Sequence, residues 1–171
     1  MSAPGADARD TEDGDFSRSF ETAFARLQVV IEDACRAQPE WSQKVTAAIG
    51  AGLRFAAADP VAAQTLTNDA LAHGVDGIAR HERLIAYLRD GLAPGRAERP
   101  EGARLPEITE HAMASGVVML VAQRVDRGKE RELPEVSAEV IQFVLTPYLG
   151  AEEARRIAAQ FWPGDPEEGL T

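Results

Sequence analysis

The sequence predicts an all-α protein of about seven helices, and three observations carry that prediction. Apolar residues recur at intervals of three and four from Phe16 to about residue 162. No segment shows the strict apolar–polar alternation of a half-buried strand. Proline and glycine fall between the periodic segments, at Pro39, Pro60, Gly74, Pro94, Gly95, Gly128 and Gly150, where they end or restart helices.

Taken in order, the first helix opens after Asp15, a good N-cap. Phe16, Phe20, Phe24, Leu27, Ile31 and Ala34 form its apolar face. It ends near Gln38, because the residue before Pro39 avoids helical geometry. The second, about 40–58, carries Trp41, Val45, Ile49, Gly52 and Ala56 on one face, with Leu53 and Phe55 beside it. Asp59 then caps and Pro60 suits the first position of a third helix, 60–72, which stops at His73 and Gly74. The fourth, about 76–92, has Ile78, His81, Ile85, Leu88 and Leu92 on one stripe. The charged, proline-bearing "RAERPEGARLP" is expected to project into solvent. The fifth helix covers about 106–127, the sixth runs from Leu133 and Pro134 to Pro147–Gly150, and "AEEARRIAAQFW" closes the fold.

At 171 residues the chain suits one domain with a substantial core. Most of the net charge of −10 sits at its ends. Asp7, Asp10, Glu12, Asp13 and Asp15 stand against Arg9 alone, and Asp165, Glu167 and Glu168 have no basic neighbour. Residues 1–15 and 163–171 are therefore expected to be disordered tails around a 16–162 domain. An acidic chain lacks the basic footprint of nucleic-acid binding, so none is expected by this chain directly. The longest mainly apolar run, "AMASGVVMLVA", has 11 residues, against roughly 20 for a membrane helix. The N-terminus has no basic-then-apolar order of a secretory signal. The single cysteine, Cys35, suits a reducing cytoplasm and reads as an inert core thiol.

Catalytic signatures are sparse, and neither an enzyme nor a metal or cofactor site is expected. His73, His81 and His111 form no i, i+4 pair and no zinc spacing with cysteine. No glycine-rich phosphate loop and no Gly-x-Ser-x-Gly elbow occurs. His81 and His111 nevertheless lie on apolar stripes, the latter with Ile108, Ser115 and Val118. Each is either a satisfied core histidine or a polar group pointing into an apolar pocket. Thr67, one turn before Leu71, is a similar candidate on the polar third helix.

The fifth and sixth helices carry more apolar surface than one core needs. In the fifth, Ala112, Gly116, Met119 and Gln123 form one strip and Met113, Val117 and Leu120 another. Gly116 costs about 1 kcal/mol against alanine in a helix interior, which close packing of a neighbour would repay. In the sixth, Val136, Val140, Phe143 and Pro147 take one side, and Ile141, Val144, Leu145 and Tyr148 the others. A helix apolar all round is buried all round. Exposing Phe143, Val144 or Tyr148 would cost roughly 1.5–3 kcal/mol each. A two-fold dimer joined by a four-helix bundle answers this. Ala112, Gly116, Met119, Val140, Phe143, Val144, Pro147 and Tyr148 are the expected interface, and the alternative is that both helices are central in a monomer.

From Phe16 to about Ala159 the chain resembles the C-terminal domain of tetracycline-repressor (TetR) family transcriptional regulators. The residues that carry the resemblance are "FSRSFETAFARL", "RFAAADPVAAQTLTNDAL" and "LPEVSAEVIQFVLTPYLGAEEARRI". It implies a homodimeric domain that binds a small apolar or amphipathic effector among its earlier helices and the first dimerisation helix. Phe24, Thr67, Leu71, His81, Ile85, Leu88, His111 and Ser115 are the lining residues this suggests. The family's basic helix-turn-helix has no counterpart here; "GADARDTEDGD" stands in its place. The expected function is thus a small-molecule-sensing regulatory domain without its own DNA reader, pairing with itself or with a full-length relative. The alternative is a complete TetR-type repressor whose helix-turn-helix lies outside this sequence.

Overall fold

A computed structural model describes the backbone of residues 6–161 and the side chains of residues 14–161. Every regular element among the described residues is helical. The helix α1 spans Ala6–Arg36 and α2 Trp41–Ala58. Next come α3, at 60–72, and α4, Gly74–Leu92. After a looped segment, α5 is Thr109–Asp126, α6 Ser137–Leu149 and α7 Ala151–Gln160. No helix among them is long and apolar enough to cross a membrane.

The expected boundaries follow the local chemistry closely. Glu40 opens α2 through a reciprocal capping box with Gln43. Asp59 caps α3 by accepting from the Ala62 N–H at 3.0 Å, and Pro60 occupies the first turn. Gly150, at φ +83°, ends α6 in a backbone conformation that side-chain-bearing residues rarely adopt.

Four features depart from the expectations. The first helix begins at Ala6, so residues 6–15 of the expected disordered tail are its first turns; acidic residues suit a helix N-terminus. Residues 1–5 and 163–171 lie outside the described residues. The middle of α3, Thr65–Asp69, is wound as a π-helix, with α-helical Pro60–Gln64 before it and Ala70–Ala72 after it. The charged loop after α4 is mostly exposed, as expected, but it is tied back to the body of the protein. It folds back through two 3-10 turns, Ala93–Ala97 and Gly102–Arg104, with Gly95 and Gly102 buried. Arg96 anchors it: Nε and Nη2 each donate to Glu110 at 2.7 Å, while Nη1 and Nη2 donate to the Leu105 and Pro106 carbonyls at 2.8 Å. A nearly buried carboxylate needs such a partner.

The last departure concerns α6. Val140, Ile141, Val144, Leu145, Tyr148 and Leu149 are all buried within this one chain. The short α7 packs Ala154 and Ala158 against α6, and α2 and the 3-10 segment Glu130–Val136 occupy neighbouring positions in the same core. Most sides of α6 are therefore covered without a second copy. Phe143 alone of its large apolar side chains stays 57% exposed.

Apolar packing divides into two clusters. One gathers Val45, Leu53, Met113, Leu133 and the buried face of α6. The other gathers Phe16, Phe20, Phe24 and Leu27 of α1 with Leu66, Leu84, Ile85 and Val118.

Candidate ligand-binding cavity

A cavity of about 550 Å³ separates the two clusters. Its walls come from α1 (Leu27, Ile31, Cys35), α2 (Trp41 to Ala56), α3 (Ala63, Leu66, Thr67), α4 (Leu84, Tyr87, Leu88) and α5 (Ala114, Val117, Val118, Val121). Val144 of α6 closes part of its floor. The volume lies within the range of small-molecule sites, about 300–1,000 Å³.

α2 provides the longest wall. Trp41, Val45, Ala48, Ile49, Gly52 and Ala56 lie along it at helical spacing. Trp41 is held on several sides. Its indole N–H donates to the Gly91 carbonyl at 3.1 Å, and its ring meets Tyr148 edge-on at 4.9 Å between centroids. A Cβ on Gly95 would lie 2.3 Å from that indole, so only glycine lets the loop seat there. Tyr148 in turn donates from its hydroxyl to Glu110 at 3.1 Å. The Arg96–Glu110–Tyr148 set thereby fixes one wall of the cavity. Burial tends to raise the Glu110 pKa, but Arg96, a backbone N–H and Tyr148 outweigh it and hold the carboxyl below its ordinary value. Tyr148 is pushed up, by burial first and by the Glu110 charge second, and stays a neutral donor.

Gly52 is the informative position on this wall. It sits mid-helix, yet nothing lies within 4 Å of where its Cβ would be. Its cost to the helix, about 1 kcal/mol against alanine, is not repaid by close packing. It keeps the cavity wide.

The cavity's polar groups are few. Thr67 donates its hydroxyl to the Ala63 carbonyl at 2.7 Å, one turn back and within the π-wound stretch that forms the floor. π-bulges are frequent at functional sites. The Cys35 thiol contacts the Lys44 carbonyl at 3.4 Å, and burial raises its pKa, which keeps it a weak nucleophile. Glu32, Lys44 and Asp90 stand at the solvent-exposed rim.

Of the eight expected lining residues, Thr67 and Leu88 line the cavity. Phe24 lies behind the wall, meeting Tyr87 edge-on at 5.7 Å, with the Arg83 guanidinium 4.7 Å over its ring. Ile85 is 1% exposed in the α1-side cluster. Leu71 points outward, 47% exposed, and Ala70 takes the buried position at this turn. His111 and Ser115 are half-buried on α5 away from the cavity. His81 is also off the wall; burial lowers its pKa, the nearby Leu66 carbonyl and Glu82 opposing, and its Nδ1 is buried without a partner.

The missed residues include all those of α1, α2 and α5 on the wall, and Tyr87. The α2 stripe was visible at Trp41, Val45, Ile49, Gly52 and Ala56, and a glycine inside an otherwise apolar stripe was the available signal. Of the expected interface residues, Ala112, Gly116, Met119 and Phe143 share an exposed face, with Phe143 Cε1 4.0 Å from the Cβ position of Gly116. Pro147 is half-buried. Val140, Val144 and Tyr148 face this chain's own interior, where a partner's side chains cannot reach them.

Among the described residues, no group of three or more His, Cys, Asp or Glu is placed to hold a metal ion. Compared with protein-family models, curated proteins and solved structures, the chain matches none.

Proposed function

We propose that this chain is a small-molecule-sensing regulatory domain that binds a largely apolar effector in the cavity and pairs with a second copy through α5 and α6. The cavity carries the reading. A largely apolar cavity of about 550 Å³ keeps the facing helices from packing against one another, a loss of contact that a purely structural helical domain has no reason to carry. Gly52 adds a second cost in the same place. Binding is favoured over catalysis because His81 and His111 stand off the wall and Cys35 is held as a thiol. The sequence motifs that resemble TetR-family effector domains point the same way, with a DNA reader supplied from outside the described residues or by a partner.

Pairing rests on a narrower surface than the sequence suggested. Ala112, Gly116 and Met119 recur at helical spacing on α5, continued by Ile108 at its N-cap, and Phe143 of α6 lies beside Gly116. Ile108, Met119 and Phe143 are each at least half exposed. Covering Phe143 alone is worth roughly 1.5–3 kcal/mol.

The test uses N-phenyl-1-naphthylamine, an uncharged dye that fluoresces in apolar sites. The wild type should bind it with saturable enhancement. Gly52→Leu, which projects a branched side chain into the cavity, should weaken that binding, while Phe143→Glu should retain it. Equal dye binding by Gly52→Leu and wild type would refute the cavity as the site.

A further inference from the structure

Resting on the sensing role just proposed, the hydrogen-bond inventory of the cavity narrows the class of effector. The side-chain donors along its deep walls are already spent. Thr67 donates to Ala63, Trp41 to Gly91 and Cys35 to Lys44, all to backbone carbonyls. Tyr87 differs. Its ring lines the cavity, fixed from behind by Phe24, and its hydroxyl has no hydrogen-bond partner among the described residues.

The charges are arranged just as selectively. The charged side chains that line the cavity are few and lie toward solvent. Glu32, Lys44 and Asp90 are all exposed at the rim, and Arg89 donates to Asp90 at 2.9 Å, so the rim has acids and bases in balance. A carboxylate or ammonium drawn inside would lose its hydration without gaining a counter-ion. An uncharged oxygen or nitrogen loses far less and can recover one hydrogen bond. Tyr87 is suited to supply it. Burial first, and the neighbouring Glu32 charge second, raise its pKa, so it remains a neutral hydroxyl able to donate or accept.

We propose that the cavity selects uncharged lipophiles bearing a single hydrogen-bonding group, and that the Tyr87 hydroxyl is the specificity-determining residue that reads it. The rest of the wall measures shape only. Hydrogen bonding by a neutral pair in such a site is worth a few-fold to about tenfold in affinity. Exclusion of a charged isostere should exceed tenfold.

Three molecules of nearly one shape test this by displacing the naphthylamine dye at pH 7: 2-acetylnaphthalene, 2-isopropylnaphthalene and 2-naphthoate. The ketone should bind about three- to tenfold tighter than the hydrocarbon, and 2-naphthoate more than tenfold weaker than the ketone. Tyr87→Phe should erase the ketone's advantage while leaving the hydrocarbon's affinity within about twofold. That second readout separates a lost hydrogen bond from a damaged cavity. Equal or tighter binding of 2-naphthoate would overturn the proposal, as would a ketone preference that survives in Tyr87→Phe. If none of the three displaces the dye, the sensing role itself falls. If all three bind equally, the sensing role stands and the selectivity falls.

Discussion

Replacing Gly52 with alanine should stabilise the protein, and the size of the effect follows from two observations. Gly52 lies inside α2, where alanine is favoured over glycine by about 0.8–1.0 kcal/mol. An added Cβ would meet nothing within 4 Å, so no packing strain offsets that gain. A gain of about 1 kcal/mol in a chain of this length raises Tm by roughly 2–4 °C. Differential scanning calorimetry without ligand measures it, with urea unfolding at 25 °C as a check. Gly77, inside α4, is the control. Its propensity gain is the same, but its Cβ would fall 2.0 Å from the Ala70 carbonyl oxygen, a backbone atom with little freedom to move. Gly77→Ala should therefore lower stability by about 1–3 kcal/mol. A lowered Tm in Gly52→Ala would refute the reasoning, because it would mean that the space beside Gly52 is filled. An equal rise in both variants would refute it too, since helix propensity alone would then decide.

Three further outcomes are expected. The wild type should sediment as a dimer at micromolar concentration and Phe143→Glu as a monomer; a monomeric wild type would remove the α5–α6 pairing surface. Tyr148→Phe keeps the ring against Trp41 but loses the bond to the Glu110 carboxylate, and should cost about 1.5–3 kcal/mol in urea unfolding. An unchanged midpoint would mean that this bond contributes nothing. Glu110, held below its ordinary pKa, stabilises the fold at pH values above the unfolded glutamate value of about 4.3. That contribution should disappear as pH falls through the lower, folded pKa, and Glu110→Gln should flatten the acid limb of a stability–pH profile. Profiles of equal slope would rule Glu110 out as its source.

The helices were legible because their signals are local. Asp59 and Pro60 mark the start of α3 whatever packs around it, and Gly150 ends α6 for reasons of its own backbone. Helical periodicity also revealed which α2 residues share a face. It could not reveal what that face meets. A stripe packed against a core and a stripe lining a cavity look alike in one dimension, apart from the glycine at 52. The π turn at Thr65–Asp69 left no comparable mark, and at the next turn Ala70, not Leu71, takes the buried position.

Long-range partners account for the remaining corrections. Arg96 and Glu110 are 14 residues apart, on a loop and a helix, and nothing local shows that they meet. Their pairing ties a largely exposed loop back to α5 and supports Tyr148, which meets Trp41. Tyr148 and Val144 were assigned to a dimer surface because α6 is apolar on every side. Their place inside the chain depends on α7 and α2, which cover sides that a second copy was invoked to cover.

The sequence by itself determined the helices, their caps and breaks, and the surplus of apolar surface on α5 and α6, since each depends on residues within a few turns of one another. Only the tertiary structure decided where the apolar faces fail to touch. A cavity is a property of the gap between elements, set by the sizes and approach of side chains far apart in the chain. The same holds for Tyr87, whose hydroxyl stands apart only once Thr67, Trp41 and Cys35 are seen to bond backbone carbonyls.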